Sequence, residues 1–152
     1  MNIEIRTAIG DDAKDAVTIL DKAYYSDFVK YGYCPGYHQS VDIIKEAIET
    51  SNAFMILSDE SPIGYIRVKS RGNGDYFLCS ICIIPRCENQ GVGQMAMRYL
   101  EQHFTDAKHW SLETPADKER NCCFYRKCGF QTTQEYMDGS VKIVLFEKNT
   151  SL

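Results

Sequence analysis

Ile81-Cys-Ile-Ile-Pro-Arg-Cys-Glu-Asn-Gln-Gly-Val-Gly-Gln94 is the stretch on which the fold turns. Its first four residues suit a strand, and Pro85 withholds the N–H that a further ladder bond would need. Gly91 and Gly93 then open a helical pattern whose apolar face is expected to hold Val92, Met95, Ala96, Tyr99 and Leu100. Strand, glycine-bearing loop and helix in this order make an anion site. Unpaired N–H groups and the positive dipole end of the helix favour phosphate, and glycine lets a ligand approach the backbone. No Gly-Lys-Ser/Thr follows, so the loop is not that of a nucleoside triphosphate enzyme. A dinucleotide fingerprint would carry three glycines after the first strand of a βαβ unit, whereas this loop has two.

Upstream, Ile3 to Thr7 alternates as a half-buried strand, and Asp11-Asp12 precede a helix with Ala13, Ala16, Val17, Leu20 and Tyr24 at helical spacing. Ser40 caps a second helix whose face carries Val41, Ile44 and Ile48. Between them, Tyr24 to Tyr37 is rich in aromatics, suited either to core and loop packing or to an apolar acceptor pocket or lid. Strands are expected at Ala53-Leu57, Ile63-Lys69 and Tyr76-Ile84, with turns at Ser61-Pro62 and Gly72-Asn-Gly-Asp75, which together predict an antiparallel meander. Downstream, His109 to Thr114 reads as a strand and Glu119 to Lys127 as a helix stopped by Gly129. Phe130-Tyr136 and Val141-Glu147 form a hairpin around Asp138-Gly139. The order predicts one α/β domain over residues 1–152, a mixed, mostly antiparallel sheet flanked by helices.

Composition is that of a soluble globular chain: 44% hydrophobic, 25% charged, with 17 basic against 21 acidic side chains for a net charge of −4. That balance argues against nucleic acid and anionic membrane as partners, since both need clustered positive charge. The opening Met1 to Arg6 lacks a basic run before an apolar core, and apolar runs stop far short of the ~20 residues of a membrane span. The expectation is a cytoplasmic protein. Seven cysteines raise the question of a metal. Cys79 and Cys82, three apart on a strand, are expected on opposite faces, so no metal site is expected and the thiols read as small apolar fillers.

A second motif lies at Phe124-Tyr-Arg-Lys-Cys-Gly-Phe130. With the first, it resembles the GNAT acetyltransferase superfamily, in element order over nearly the whole chain and in motif detail from Ile81 to Phe130. The resemblance implies a GNAT-like fold and transfer of an acetyl group from acetyl-CoA to an amine, by direct attack on the thioester. Acceptors would be small-molecule or peptide amines, and the family often forms homodimers. Carried over, Ile81, Cys82 and Ile83 contact the thioester arm, while Asn89, Gln90, Gly91, Val92, Gly93 and Gln94 hold the pyrophosphate. Tyr125 would protonate the departing thiolate, a role for which a phenol of pKa ~10 is suited. Glu113 is the candidate base that takes the acceptor's proton, with His109 and His38 as alternatives. Two positions depart from the pattern. Glu88 replaces Gln or Arg and is expected to point outward. Lys118 stands where the family often has an Asn that bonds the pantetheine arm, leaving Asn121, one turn later, as its substitute. These departures keep open a second class, a GNAT-like module that senses acyl-CoA without turnover. A cysteine nucleophile is the competing chemistry, and no cysteine has the spacing that would mark it.

Overall fold

The computed structural model describes residues 2–150. Seven strands form one sheet in the order β1-β2-β3-β4-β5-β7-β6. They are β1 (Ile3–Thr7), β2 (Asn52–Ser58), β3 (Ser61–Gly72), β4 (Asp75–Ile83), β5 (His109–Pro115), β6 (Gln131–Asp138) and β7 (Val141–Asn149). Four helices flank it: α1 (Ala13–Tyr31), α2 (Val41–Thr50), α3 (Val92–His103) and α4 (Glu119–Lys127). Every neighbouring pair of strands is antiparallel except β4 with β5. The mixed, mostly antiparallel sheet matches the expectation. The register assigns the faces, because directly paired residues share one. Phe54 pairs with Ile66 and stacks edge-on against Tyr99 and His103 of α3. Tyr65, one residue away, therefore faces the other side, where Leu20 of α1 and Ile44 of α2 lie.

Local signals explain most element ends. Ser40 Oγ accepts from Ile43 N at 3.2 Å, the expected cap of α2. α1 runs on past Tyr24 to Tyr31 and stops at Gly32, which takes a left-handed φ of 71°. Two expectations are corrected. The β2–β3 turn is Asp59-Glu60, both at positive φ, and not Ser61-Pro62. Two residues of positive φ match the right-handed twist of a two-residue hairpin, and Pro62 sits in β3 beside an irregularity of the β2 register. On α3, Val92, Ala96, Met97 and Leu100 are buried, whereas Met95 is exposed, having rotated off the stripe that Val92, Ala96 and Leu100 define.

Two features of β4 shape the region around it. First, it pairs with β5 over Asp75–Phe77 and His109–Ser111 alone, and beyond these residues the strands part. The paired end is fastened firmly. Lys108 N and His109 N both donate to Gly74 O, and the His109 ring lies 2.7 Å from Asp75 and 3.0 Å from Glu147. Second, β4 carries a bulge. Val68 pairs with Leu78 and Arg67 with Ser80, so Cys79 has no partner on β3. Beyond the bulge Ser80 and Cys82 share the face of Arg67 and Tyr65, towards α1 and α2. The strict alternation expected to separate Cys79 from Cys82 therefore fails.

β3 and β4 approach closely at Gly64. A Cβ there would lie 2.7 Å from Ile56 Cδ1 and 2.9 Å from Cys82 O, and a backbone oxygen cannot swing aside. Gly64→Ala should therefore destabilise the chain by about 1–3 kcal/mol, the usual cost of overpacking. Urea unfolding should show a lower midpoint with unchanged slope. A wild-type midpoint would mean that the strands can separate there freely.

Candidate active site

Where β4 and β5 part, the facing backbone edges of both strands lack sheet partners, and a cleft of about 160 Å³ opens between them. An unpaired strand edge can accept a further extended chain of donors and acceptors. Ile81, Cys82, Ile83, Glu113, Asn121 and Tyr125 all line this cleft. Six of the residues singled out in the sequence are thus brought together from β4, β5 and α4. Cys79 and Cys82 both border it as well. Among the described residues, no group of three or more His, Cys, Asp or Glu side chains could hold a metal ion.

The cleft is chemically quiet at neutral pH. Burial pushes the Cys82 thiol up to about 11, which keeps it protonated and a poor nucleophile. Tyr125 packs against Phe130 and Phe146, and burial, reinforced by Cys82, raises its phenol above the ordinary tyrosine range. Its hydroxyl has no hydrogen-bond partner among the described residues, so its proton is free for a ligand. Glu113, exposed near the end of β5, accepts from Tyr136 Oη at 2.7 Å through Oε2. That bond, together with burial, holds the Tyr136 phenol up at about 12, so it remains a donor and leaves Glu113 Oε1 open. His109 is bound up at the far end of the β4–β5 pair, and His38 packs against Tyr37 in the α1–α2 loop. Neither lines the cleft, which removes both as bases there.

Asn89, Gln90, Gly91, Val92, Gly93 and Gln94 form the loop and first turn of α3, beside Glu88. Gly91 is the N-cap, at a left-handed φ of 81°, and no side chain caps the helix, so its first N–H groups stay unclaimed. A Cβ on Gly91 would meet nothing within 4 Å. Gly93 has a different reason for being small, since a Cβ there would lie 3.0 Å from the Phe124 ring of α4. Val92 is buried in the core, so only its backbone can face a ligand. Asn89, at positive φ, accepts from Arg120 of α4, which sets a cation beside the loop. Glu88 is exposed as expected, yet it also borders the cleft.

Several residues of the site escape a reading of the sequence. Tyr24 belongs by spacing to the apolar face of α1, and its hydroxyl lies against the Cys82 thiol and Ser80. Nearness to Cys82 and burial both raise its pKa well above that of a free phenol. Asp27, 9% exposed, pairs with Lys118 at 2.9 Å, so Lys118 is held by α1 and does not stand free in the cleft. Lys30 and Tyr31 both bind Asp117, which adds to the same tie between α1 and the β5–α4 loop. A carboxylate at Asp27, on the helical stripe of Leu20 and Tyr24, was the available signal, because buried acids need a partner.

The acetyltransferase (GNAT) family profile matches residues 17–130. The chain belongs to the GNAT acetyltransferase family. An uncharacterised protein of Bacillus subtilis, YrkN, is 31% identical over 86 residues, which make up 55% of this chain and 46% of that protein. This chain thus matches about half the length of that relative. Among solved structures, the PaiA N-acetyltransferase of Thermoplasma acidophilum, in complex with coenzyme A, superposes with a TM-score of 0.77 at 18% identity, covering 99% of this chain and 100% of that one. An N-acetyltransferase of Staphylococcus aureus gives 0.81 at 17% identity over 98% and 99%. The ribosomal-protein-S18-alanine N-acetyltransferase of Escherichia coli gives 0.81 at 15% over 99% and 96%. These identities speak for the GNAT fold.

Proposed function

We infer that the chain moves an acetyl group from acetyl-CoA to a primary amine by direct attack. The observation that carries this reading is the parting of β4 from β5 opposite the unpartnered Tyr125 hydroxyl, with the uncapped first turn of α3 beside it. Acetyl-CoA would supply the acetyl group as a thioester. Main-chain groups of Ile81, Cys82 and Ile83 are the donors and acceptors for its arm, with Asn121 beside them on α4. The N–H groups from Asn89 to Gln94 are those for its pyrophosphate, with Arg120 as a nearby cation. Tyr125 gives its proton to the sulfur as the C–S bond breaks. Glu113 takes the proton that the attacking amine loses, directly or through water. The high pKa of Cys82 favours this direct route over an acyl-cysteine. Glu88 at the cleft and Lys118 held by Asp27 favour a second reading, an acyl-CoA sensor without turnover. The free hydroxyl of Tyr125 weighs against it.

Three measurements test this assignment. Acetyl-CoA should raise the melting temperature, and Gly91→Asp, which sets a carboxylate into open space at the helix entry, should abolish the rise. Asp tolerates left-handed φ, so the variant should fold. Normal CoA binding by Gly91→Asp would reassign the loop. Binding without thiol release on any amine would instead support the sensor.

Tyr125→Phe should still bind acetyl-CoA and lose about 10²–10⁴-fold in turnover, the usual worth of a general acid. An unchanged rate would return Tyr125 to a packing role.

Glu113→Gln should slow the reaction near neutral pH and recover partly as pH rises. The direction follows from the acceptor: as pH rises the amine sheds its own proton and the missing base matters less. Superimposable pH–rate profiles of variant and wild type would remove Glu113 from the mechanism.

A further inference from the structure

A second cavity, of about 300 Å³, lies between α1, α2 and the sheet, on the face to which the Cys79 bulge turns Ser80. Ser80 lines both this cavity and the β4–β5 cleft, so the two are neighbours across one residue. Tyr65 is 1% exposed, and its hydroxyl is a buried polar atom with no partner among the described residues. A buried hydroxyl without a partner is costly, and Tyr65 lines the cavity, so a ligand or water belongs beside it. Burial holds this phenol up at about 12, and it is a donor at any physiological pH.

Arg67 lines the same cavity. Its Nε donates to Ser51 Oγ at 3.0 Å, and Ser51 Oγ is in turn anchored on Ala47 O at the end of α2. The guanidinium is therefore held in place by one edge, while its two terminal nitrogens meet no acceptor among the described residues. A fixed guanidinium fork beside a buried phenol suits a planar carboxylate. Glu46 is the one acidic side chain of the lining, and it is exposed at the rim. It would oppose a doubly charged phosphate more than a single carboxylate. Leu20, Ile43 and Ile44 supply apolar wall for the rest of such a molecule.

We propose that the acceptor is an amino carboxylic acid whose carboxylate sits on Arg67 and Tyr65 while its amine passes Ser80 into the cleft. This rests on the acetyl-transfer reading of the cleft. In the transfer, the amine nitrogen forms the new bond to the acetyl carbon, the carbon–sulfur bond breaks, and the amine's proton leaves for Glu113 or water. The carboxylate takes no part beyond holding the acceptor.

The test is thiol release from acetyl-CoA with the common L-amino acids, each beside its own primary amide, in which the carboxylate charge is gone. The wild type should use at least one acid with a KM roughly 10- to 100-fold below that of its amide, as expected for hydrogen bonds to a charged group. Arg67→Met should erase that preference, and Tyr65→Phe should weaken it, with the KM for acetyl-CoA unchanged in both. Should Arg67→Met fail to fold, Arg67→Lys, which keeps the charge and loses the fork, should still raise the KM for the acid. Equal use of acid and amide, or a preference that survives Arg67→Met, would overturn the proposal. If none of these acids or amides releases thiol while another primary amine does, the proposal is overturned and the transfer reading stands; if no primary amine does, the transfer reading itself has failed. Calorimetric titration with the N-acetylated acids then decides the subsite: binding lost in Arg67→Met supports it, and no binding overturns it.

Discussion

Parallel strands normally hold one another along their length, because every N–H and C=O left unpaired in the interior is a cost. β4 and β5 break that rule after three residues each. Several features of the molecule bound the break or line it. The Gly74 turn and the bridging ring of His109 hold the strands together at one end. At the other end the ties of Asp27 to Lys118 and of Lys30 and Tyr31 to Asp117 hold α1 to the β5–α4 loop. The opening is thus bounded on both sides, and its width does not depend on the sheet alone. The exposed edges of two strands then offer regularly spaced hydrogen-bonding groups to an extended ligand.

The charge distribution obeys the same plan. The cleft interior is lined by groups that stay neutral, the thiol of Cys82 and the phenols of Tyr24 and Tyr125, all with raised pKa values. Full charges are paired or set at the edges, as with Lys118 on Asp27 and Arg120 beside Asn89. An interior without fixed charge suits a thioester, which is itself neutral; on the proposed reading Tyr125 gives its proton from within the cleft and Glu113 takes one at its border. Arg67 is the contrasting case, a cation fastened by one edge in the adjoining cavity.

Much of this was legible in the residues. Gly91 and Gly93 marked the entry to α3, the Gly72–Asp75 segment marked a hairpin, and Phe124 to Phe130 marked the helix that carries Tyr125. Each is a local signal, written in residues close together in the chain. What escaped was set at a distance. Asp59-Glu60 adopts positive φ without a glycine because the β2–β3 register demands a two-residue turn there. Tyr24 and Asp27 look like helix-face residues until Cys82 and Lys118 are brought up against them by the sheet. The two glycines of the loop also proved unlike each other. Gly91 serves the backbone conformation, and Gly93 serves the contact with Phe124.

The unpaired residue of β4 shows how a strand can carry two phases. Before Cys79, the side chain of Leu78 lies on the face of Val68. After it, Ser80 and Cys82 lie on the face of Arg67 and Tyr65. The two halves are out of step by one residue, and Cys79 is the joint between them. Exchanging Cys79 for another residue alters a single side chain. Drawing it into the ladder opposite Arg67 would shift every later residue by one, so that Ser80 and Cys82 would trade faces with Ile81 and Ile83. Both the lining of the cleft and its door to the neighbouring cavity therefore depend on one residue of β4 staying out of the ladder more than on which residue stands at 79.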